Sequence, residues 1–242
     1  MSSGDHPAGG GGRNLTYAML DAVGRDIVTG VYEDRPFPTE AELAKTHNVS
    51  RSVTREAVKM LTAKGLLTAR PRKGTTVLPA TSWNLFDPDV LRWLLERKFS
   101  LGLLRQFSEL RIAIEPAAAA LAAGAADAAA IGAIGAGYRR MEAAEAGDED
   151  ALDADIAFHI AVLEASANPF YMQFRDLVTT ALRTSILFTN RFHGRTASLP
   201  AHRAVLDAIE SGDAHVARTA MSAIITDVMV LIADAERSGS AS

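Results

Sequence analysis

VSRSVTREAV, residues 49–58, carries arginines at 51 and 55 and hydroxyls at 50, 52 and 54, in a chain whose formal net charge is −4. On a helix, a spacing of four puts Arg51 and Arg55 one turn apart on a shared face. Ser50 is placed to cap that helix, Val53, Ala57, Met60 and Leu61 form its expected inward face, and Gly65 ends it. The arginines then point outward near the N-terminal end, which is the end a helix in the major groove offers to base edges. Arginine suits bidentate contact with guanine, while Ser50, Ser52, Thr54 and the first helical amides suit phosphates.

The flanking residues supply the frame for such a helix. Leu15, Met19, Ala22, Val23 and Ile27 recur at helical spacing, predicting a helix over 14–29 that stops at Gly30. After the Pro36/Pro38 loop, Thr39 and Glu42 have the spacing of a capping box that opens a second, short helix. LLTAR and TTVL read as two strands joined by Pro71-Arg72-Lys73-Gly74, which puts Arg72, Lys73 and Gly74 at a hairpin tip that meets the DNA backbone or minor groove. Three helices and a hairpin describe a winged helix-turn-helix.

Charge supports this reading. Residues 43–80 hold 8 Lys/Arg against one acid, Glu56, although the chain as a whole is acidic. Such a local surplus marks a surface for a polyanion. The plain alternative is a solvated helix whose arginines pair with Glu56, but helix order, hairpin and charge all point the other way. Cysteine is absent, which excludes disulfides and thiol catalysis. The N-terminal MSSGDHPAGGGGR lacks the apolar run of a signal peptide, and the Ala-rich stretch 112–136 is broken by Glu115, Pro116 and Asp127, so a cytoplasmic protein without membrane contact is expected.

The run FPTEAELAKTHNVSRSVTREAVKMLTAKGLLTARPRKGTTV resembles the DNA-binding domain of GntR-type bacterial transcription regulators. The matching residues are Pro38, Glu40, Leu43, Val49-Ser50-Arg51, Arg55-Glu56-Ala57, Gly65-Leu66 and Gly74. Ala41 stands where many members have arginine, so operator preference is not carried over. The resemblance implies a homodimer on a pseudo-palindromic double-stranded operator.

Beyond the hairpin, only helices are expected, making the fold mainly α: an N-terminal winged helix-turn-helix followed by an antiparallel bundle of six or seven helices. The expected organisation is a disordered tail over 1–12, the winged head over 13–78, a linker over 79–88, the bundle over 89–237 and a tail over 238–242. Trp83, Leu85, Phe86, Val90, Leu91, Trp93 and Leu94 are suited to dock the linker against both domains. Several polar residues interrupt apolar stripes. Asp155 and His159 lie four apart on one face, His202 opens another helix, and Arg111 precedes Ile114.

ELRIAIEP, ADIAFHIAVLEASANP and AHRAVLDAIESGD resemble the effector (FCD) domain of the FadR-type branch of the GntR family, and WNLFDPDVLRWLLE with the absence of that branch's last histidine resembles its sugar-acid regulators. That branch holds a divalent metal on one Asp and three His, with a carboxylate ligand completing the coordination. Asp155, His159 and His202 match three of these positions, while the fourth falls at Ile224, which cannot ligate; His215 and His193 are the nearby substitutes. The resemblance thus implies either a divalent ion such as zinc on an incomplete set, or a metal-free pocket. In the second case Arg111 would grip a carboxylate, and Asp155, His159 and His202 would bond hydroxyls. Both versions describe a repressor responsive to a sugar acid. The competing reading is a metal-dependent small-molecule hydrolase with an accessory DNA-binding module, but the sequence shows no clear general base beside the ligands.

Overall fold

The computed structural model describes residues 10–70, 74–98, 100–125, 127–192 and 197–239, and divides into two compact units, 1–98 and 99–242.

In the first unit, helix α1 spans Gly10–Val28, α2 Glu40–Thr46 and α3 Arg51–Ala63, followed by strands β1 (Leu67–Arg70) and β2 (Gly74–Val77). Helix α1 reaches back into the expected tail through Gly10–Gly12. Propensity argues against three glycines there, but a terminal turn added to a formed helix needs no new nucleation. The capping box forms as the spacing predicts: the Thr39 amide donates to Glu42 Oε2 at 2.8 Å, and the Glu42 amide to Thr39 Oγ1 at 3.3 Å. Asn48, at φ 51°, turns the chain between α2 and α3, and Ser50 Oγ caps α3 by accepting from the Val53 amide. The strands pair antiparallel from Leu67 opposite Val77 to Arg70 opposite Gly74.

One consequence of the packing differs from expectation. Helix α4 (Pro88–Leu94), which was expected at the linker–bundle junction, packs on α1, so the head unit extends to Lys98. Trp93 is completely buried against Gly24, where an added Cβ would lie 2.2 Å from the indole. Its Nε1–H donates to Asp21 Oδ1, which also accepts from Arg92. Lys64, at the C-terminal end of α3, holds both Asp87 and Asp89. Val90, Leu91 and Leu94 are buried in the same unit, whereas Leu85 and Phe86 are exposed. Apolar composition alone did not say which body this segment would join.

The second unit is helical throughout its described residues: α5 (Leu101–Ala125), α6 (Ala128–Ala146), α7 (Ala151–Ala165), the single turn α8 (Pro169–Met172), α9 (Arg175–Phe192), α10 (Leu199–Glu210) and α11 (Ala214–Gly239). Its core combines Ala118, Ala119 and Ala122 of α5 with Phe158 and Val162 of α7, Val205 and Ile209 of α10, and Met221 and Ile225 of α11. Alanine on α5 lets neighbouring helices come close. Gly137 does the same for α6, since a Cβ there would lie 2.9 Å from the Phe158 Cα. This close approach helps fix where α7 lies, and α7 carries Asp155 and His159, two of the five polar groups discussed next. Helix α11 is long and apolar enough to cross a membrane by length and composition, but it packs along α5 and α10, with Ala217, Met221, Ile225 and Ile232 buried.

Candidate functional site

Two sites emerge, one in each unit. On α3, Ser50, Arg51, Ser52 and Arg55 are exposed, and Gly74 opens β2 with its surface exposed. Among the described residues Arg55 makes a long 3.8 Å ion-pair contact with Glu40, a surface pairing too weak to withhold it from a phosphate or base. Thr54 departs from expectation. It is fully buried and its hydroxyl donates to the Ser50 carbonyl at 3.2 Å, so it is not a phosphate donor. The inward face of α3 is Thr54, Ala57, Val58 and Leu61, a rotation from the expected set that leaves Val53 and Met60 half-buried. Arg72 and Lys73 lie outside the described residues.

Inside the bundle, Arg111, Asp155, His159 and His202 come together as the sequence suggested, and Glu115 joins them. Arg111 and Glu115 sit on successive turns of α5, 2% and 1% exposed. Nε of Arg111 lies 2.5 Å from Glu115 Oε1, and Nη2 lies 3.3 Å from Oε2. The same Oε2 is 2.5 Å from His159 Nδ1 on α7. From α10, His202 Nδ1 lies 2.8 Å from the Ser198 carbonyl one turn earlier. Both imidazoles therefore present Nδ1 to an oxygen that can only accept, which places the hydrogen on Nδ1 in the neutral ring. Their Nε2 atoms are 3.3 Å apart, and Asp155 Oδ1 is 3.1 Å from His202 Nε2 and 3.6 Å from His159 Nε2.

Three lone-pair donors thus face one another. Asp155 Oδ1 is buried and has no hydrogen-bond partner among the described residues, an arrangement that a positive centre would satisfy. Two neutral imidazoles and a carboxylate are a donor set suited to zinc or a similar divalent ion, and their ligand atoms all lie within 4.8 Å of one another. The residues present fit such an ion. The position of the expected fourth ligand, Ile224, is half-buried apolar packing on α11, and His215 is exposed; His193 lies outside the described residues.

Electrostatics make the cluster sensitive to its contents. Burial alone would raise the Glu115 carboxyl, but Arg111 and His159 beside it hold it down at about 2. Burial also opposes ionisation of Asp155, yet a hydrogen bond from His202 and the charges of His159 and His202, which these rings supply when protonated, together with Arg111 hold it below the ordinary carboxylate range. One guanidinium and two carboxylates leave an excess negative charge when both imidazoles are neutral. Glu115 went unread in the sequence, where it looked like a mere interruption of an alanine-rich run. Its signal was the position four residues after Arg111. An open cleft of about 550 Å³, lined by Arg140, Ile156, Ile160, Glu164 and Arg175 among others, lies on the opposite side of α7 and holds none of the five residues.

Comparisons with known proteins agree with this division. The model for "Bacterial regulatory proteins, gntR family" matches residues 18–77, and that for "FCD domain" matches 106–227. Over 216 residues the chain is 34% identical to the uncharacterized HTH-type transcriptional regulator YieP of Escherichia coli (strain K12), covering 88% of this chain and 93% of that one. It is 33% identical over 217 residues to the galactonate operon transcriptional repressor of the same organism, covering 88% and 94%. Among solved structures it is similar to E. coli McbR/YncC, with a TM-score of 0.51, 16% identity and coverage of 92% and 98%. Lar of Listeria monocytogenes gives 0.52, 16%, 95% and 99%. At these identities the two structures show the fold alone.

Proposed function

The chain belongs to the GntR family of bacterial regulatory proteins, with an FCD domain behind its DNA-binding head, and from that premise we propose a repressor whose operator affinity falls when a sugar acid binds in the bundle. Such regulators of transcription grip operator DNA through a winged helix-turn-helix. In this reading the protein is a cytoplasmic homodimer that sets one α3 helix of each subunit in the major groove. Arg51 and Arg55 read base edges there, Ser50 and Ser52 hold phosphates, and Gly74 belongs to the wing.

The observation that carries the effector half is the meeting of His159 Nε2, His202 Nε2 and Asp155 Oδ1 beside a buried Arg111–Glu115 pair. Of the two pocket chemistries, the metal-dependent one is favoured. Arg111 is already matched by Glu115, so a free carboxylate entering without a cation would add a second uncompensated negative charge to a dry site. Asp155, His159 and His202 would hold the divalent ion, which when bound supplies a positive, coordinatively open centre for the effector's carboxylate and hydroxyl oxygens. That centre changes the excess charge from one negative to one positive, which a monocarboxylate neutralises. A relative named for the galactonate operon supports a sugar acid as the class. By linkage, an effector that weakens operator binding is itself bound less tightly by the DNA-bound protein.

No comparable observation favours the hydrolase. Glu115, the carboxylate beside His159, is occupied by Arg111 and that ring, and the relatives named above are transcriptional regulators. A thermal-shift screen of sugar acids, with and without EDTA, tests the proposal. Stabilisation by an aldonate that EDTA abolishes is expected. Stabilisation indifferent to EDTA would reject the metal-dependent pocket.

A further inference from the structure

The metal reading leaves one buried carboxylate unassigned. Glu115 is not placed to ligate, because its oxygen meets His159 on Nδ1, the nitrogen that faces away from Asp155 and His202. Arg111 engages both of its oxygens, Nε at Oε1 and Nη2 at Oε2, so the carboxylate cannot swing without breaking a second contact. Both residues ride on α5, whereas the ring they touch rides on α7. The counterpart on the other imidazole is a backbone group, the Ser198 carbonyl one turn before His202. One ring is thus oriented by its own helix, and the other by a charged pair on a neighbouring helix.

We propose that Glu115 is a positioning residue for the buried centre: held in place by Arg111, it keeps the His159 proton on Nδ1 and turns Nε2 toward Asp155 and His202. The inference rests on the metal reading for its consequence, but not for the tautomer itself. A neutral imidazole has one hydrogen, and an ionised carboxylate 2.5 Å away can only accept it. Without that acceptor, the hydrogen is free to move to Nε2, where Asp155 Oδ1 would accept it and the nitrogen would cease to be a ligand. A carboxylate behind a ligating imidazole also raises the basicity of the ring, and removal of such a partner lowers metal affinity by about 10- to 100-fold.

The test uses the full-length protein stripped of metal, and two double variants that keep Arg111 from being stranded as an unpaired charge. Arg111→Met/Glu115→Gln retains an acceptor for the Nδ1 hydrogen, whereas Arg111→Met/Glu115→Met removes it. Nitrogen-15 NMR of the histidine rings should find the His159 proton on Nδ1 in the parent and the Gln variant, and substantially on Nε2 in the Met variant. Titration with cobalt(II), followed by its visible absorption, should show one ion per chain in the parent and affinity at least about tenfold weaker in the Met variant than in the Gln variant. A parent whose His159 carries its proton on Nε2, or two double variants with the same tautomer and the same cobalt affinity, would overturn the assignment. If the parent binds no cobalt, the metal reading falls, and the NMR comparison alone decides the role of Glu115.

Discussion

His202 Nε2 and Asp155 Oδ1 face each other at 3.1 Å between α10 and α7, and a neutral His202 brings no hydrogen to the contact because its Nδ1 is committed to Ser198. Two acceptors at that separation repel unless a proton or a cation lies between them. A divalent ion is therefore expected to stabilise the fold. At 100 times its dissociation constant the gain is about 2.7 kcal/mol, visible as a rise in Tm that EDTA reverses. His202→Ala and Asp155→Ala should each abolish the rise. An undiminished rise in either variant would place the ion elsewhere.

Acid should attack the bundle through Glu115. Its carboxyl is held at about 2 against an ordinary 4.5, so folding favours the ionised form. The contribution is complete above the unfolded value of 4.5 and fades as pH falls toward 2. That difference corresponds to about 3 kcal/mol, and Asp155 is shifted in the same direction. Urea titrations at pH 7 and pH 3 should show the loss, and Arg111→Met/Glu115→Met should show less of it. An equal loss in that variant would assign the acid sensitivity to other groups.

On α3, Arg51→Ala or Arg55→Ala should weaken specific operator binding by about 1–3 kcal/mol while leaving Tm unchanged, because both side chains are exposed. Thr54→Ala should behave in the opposite way, lowering Tm through loss of a buried hydroxyl bonded to Ser50. Band-shift and melting experiments on the three variants separate the roles.

Gly24→Ala forces a methyl into the Trp93 ring and should cost about 1–3 kcal/mol. Trp93→Ala leaves a large void in its place and should cost about 3–5 kcal/mol. Thermal melts of both variants, read against parent protein, measure how firmly α4 is fastened to the head. A Gly24→Ala melt that matches the parent would show the contact to be looser than 2.2 Å implies.

Local signals were the legible ones. The Thr39–Glu42 box, the Ser50 cap and the hairpin follow from residues within a few positions of one another, and the backbone builds each as expected. Asp155 and His159 were readable because four residues along a helix return to the same face. Thr54 was misread because it and Val53 are only 100° apart around α3, and a threonine can bury its methyl while bonding its hydroxyl to the preceding turn. Glu115 was missed because its meaning lies in a contact 44 residues away on another helix. Docking of α4 depended on the notch at Gly24, which composition does not reveal.

The most direct test of the whole account is fluorescence anisotropy of a labelled duplex from upstream of the protein's own gene, titrated across a range of salt with and without aldonates such as galactonate. The expected result is an affinity that falls steeply with salt and drops a further tenfold or so when a sugar acid is present. Binding to no promoter fragment, or binding that ignores both salt and every sugar acid, would contradict it.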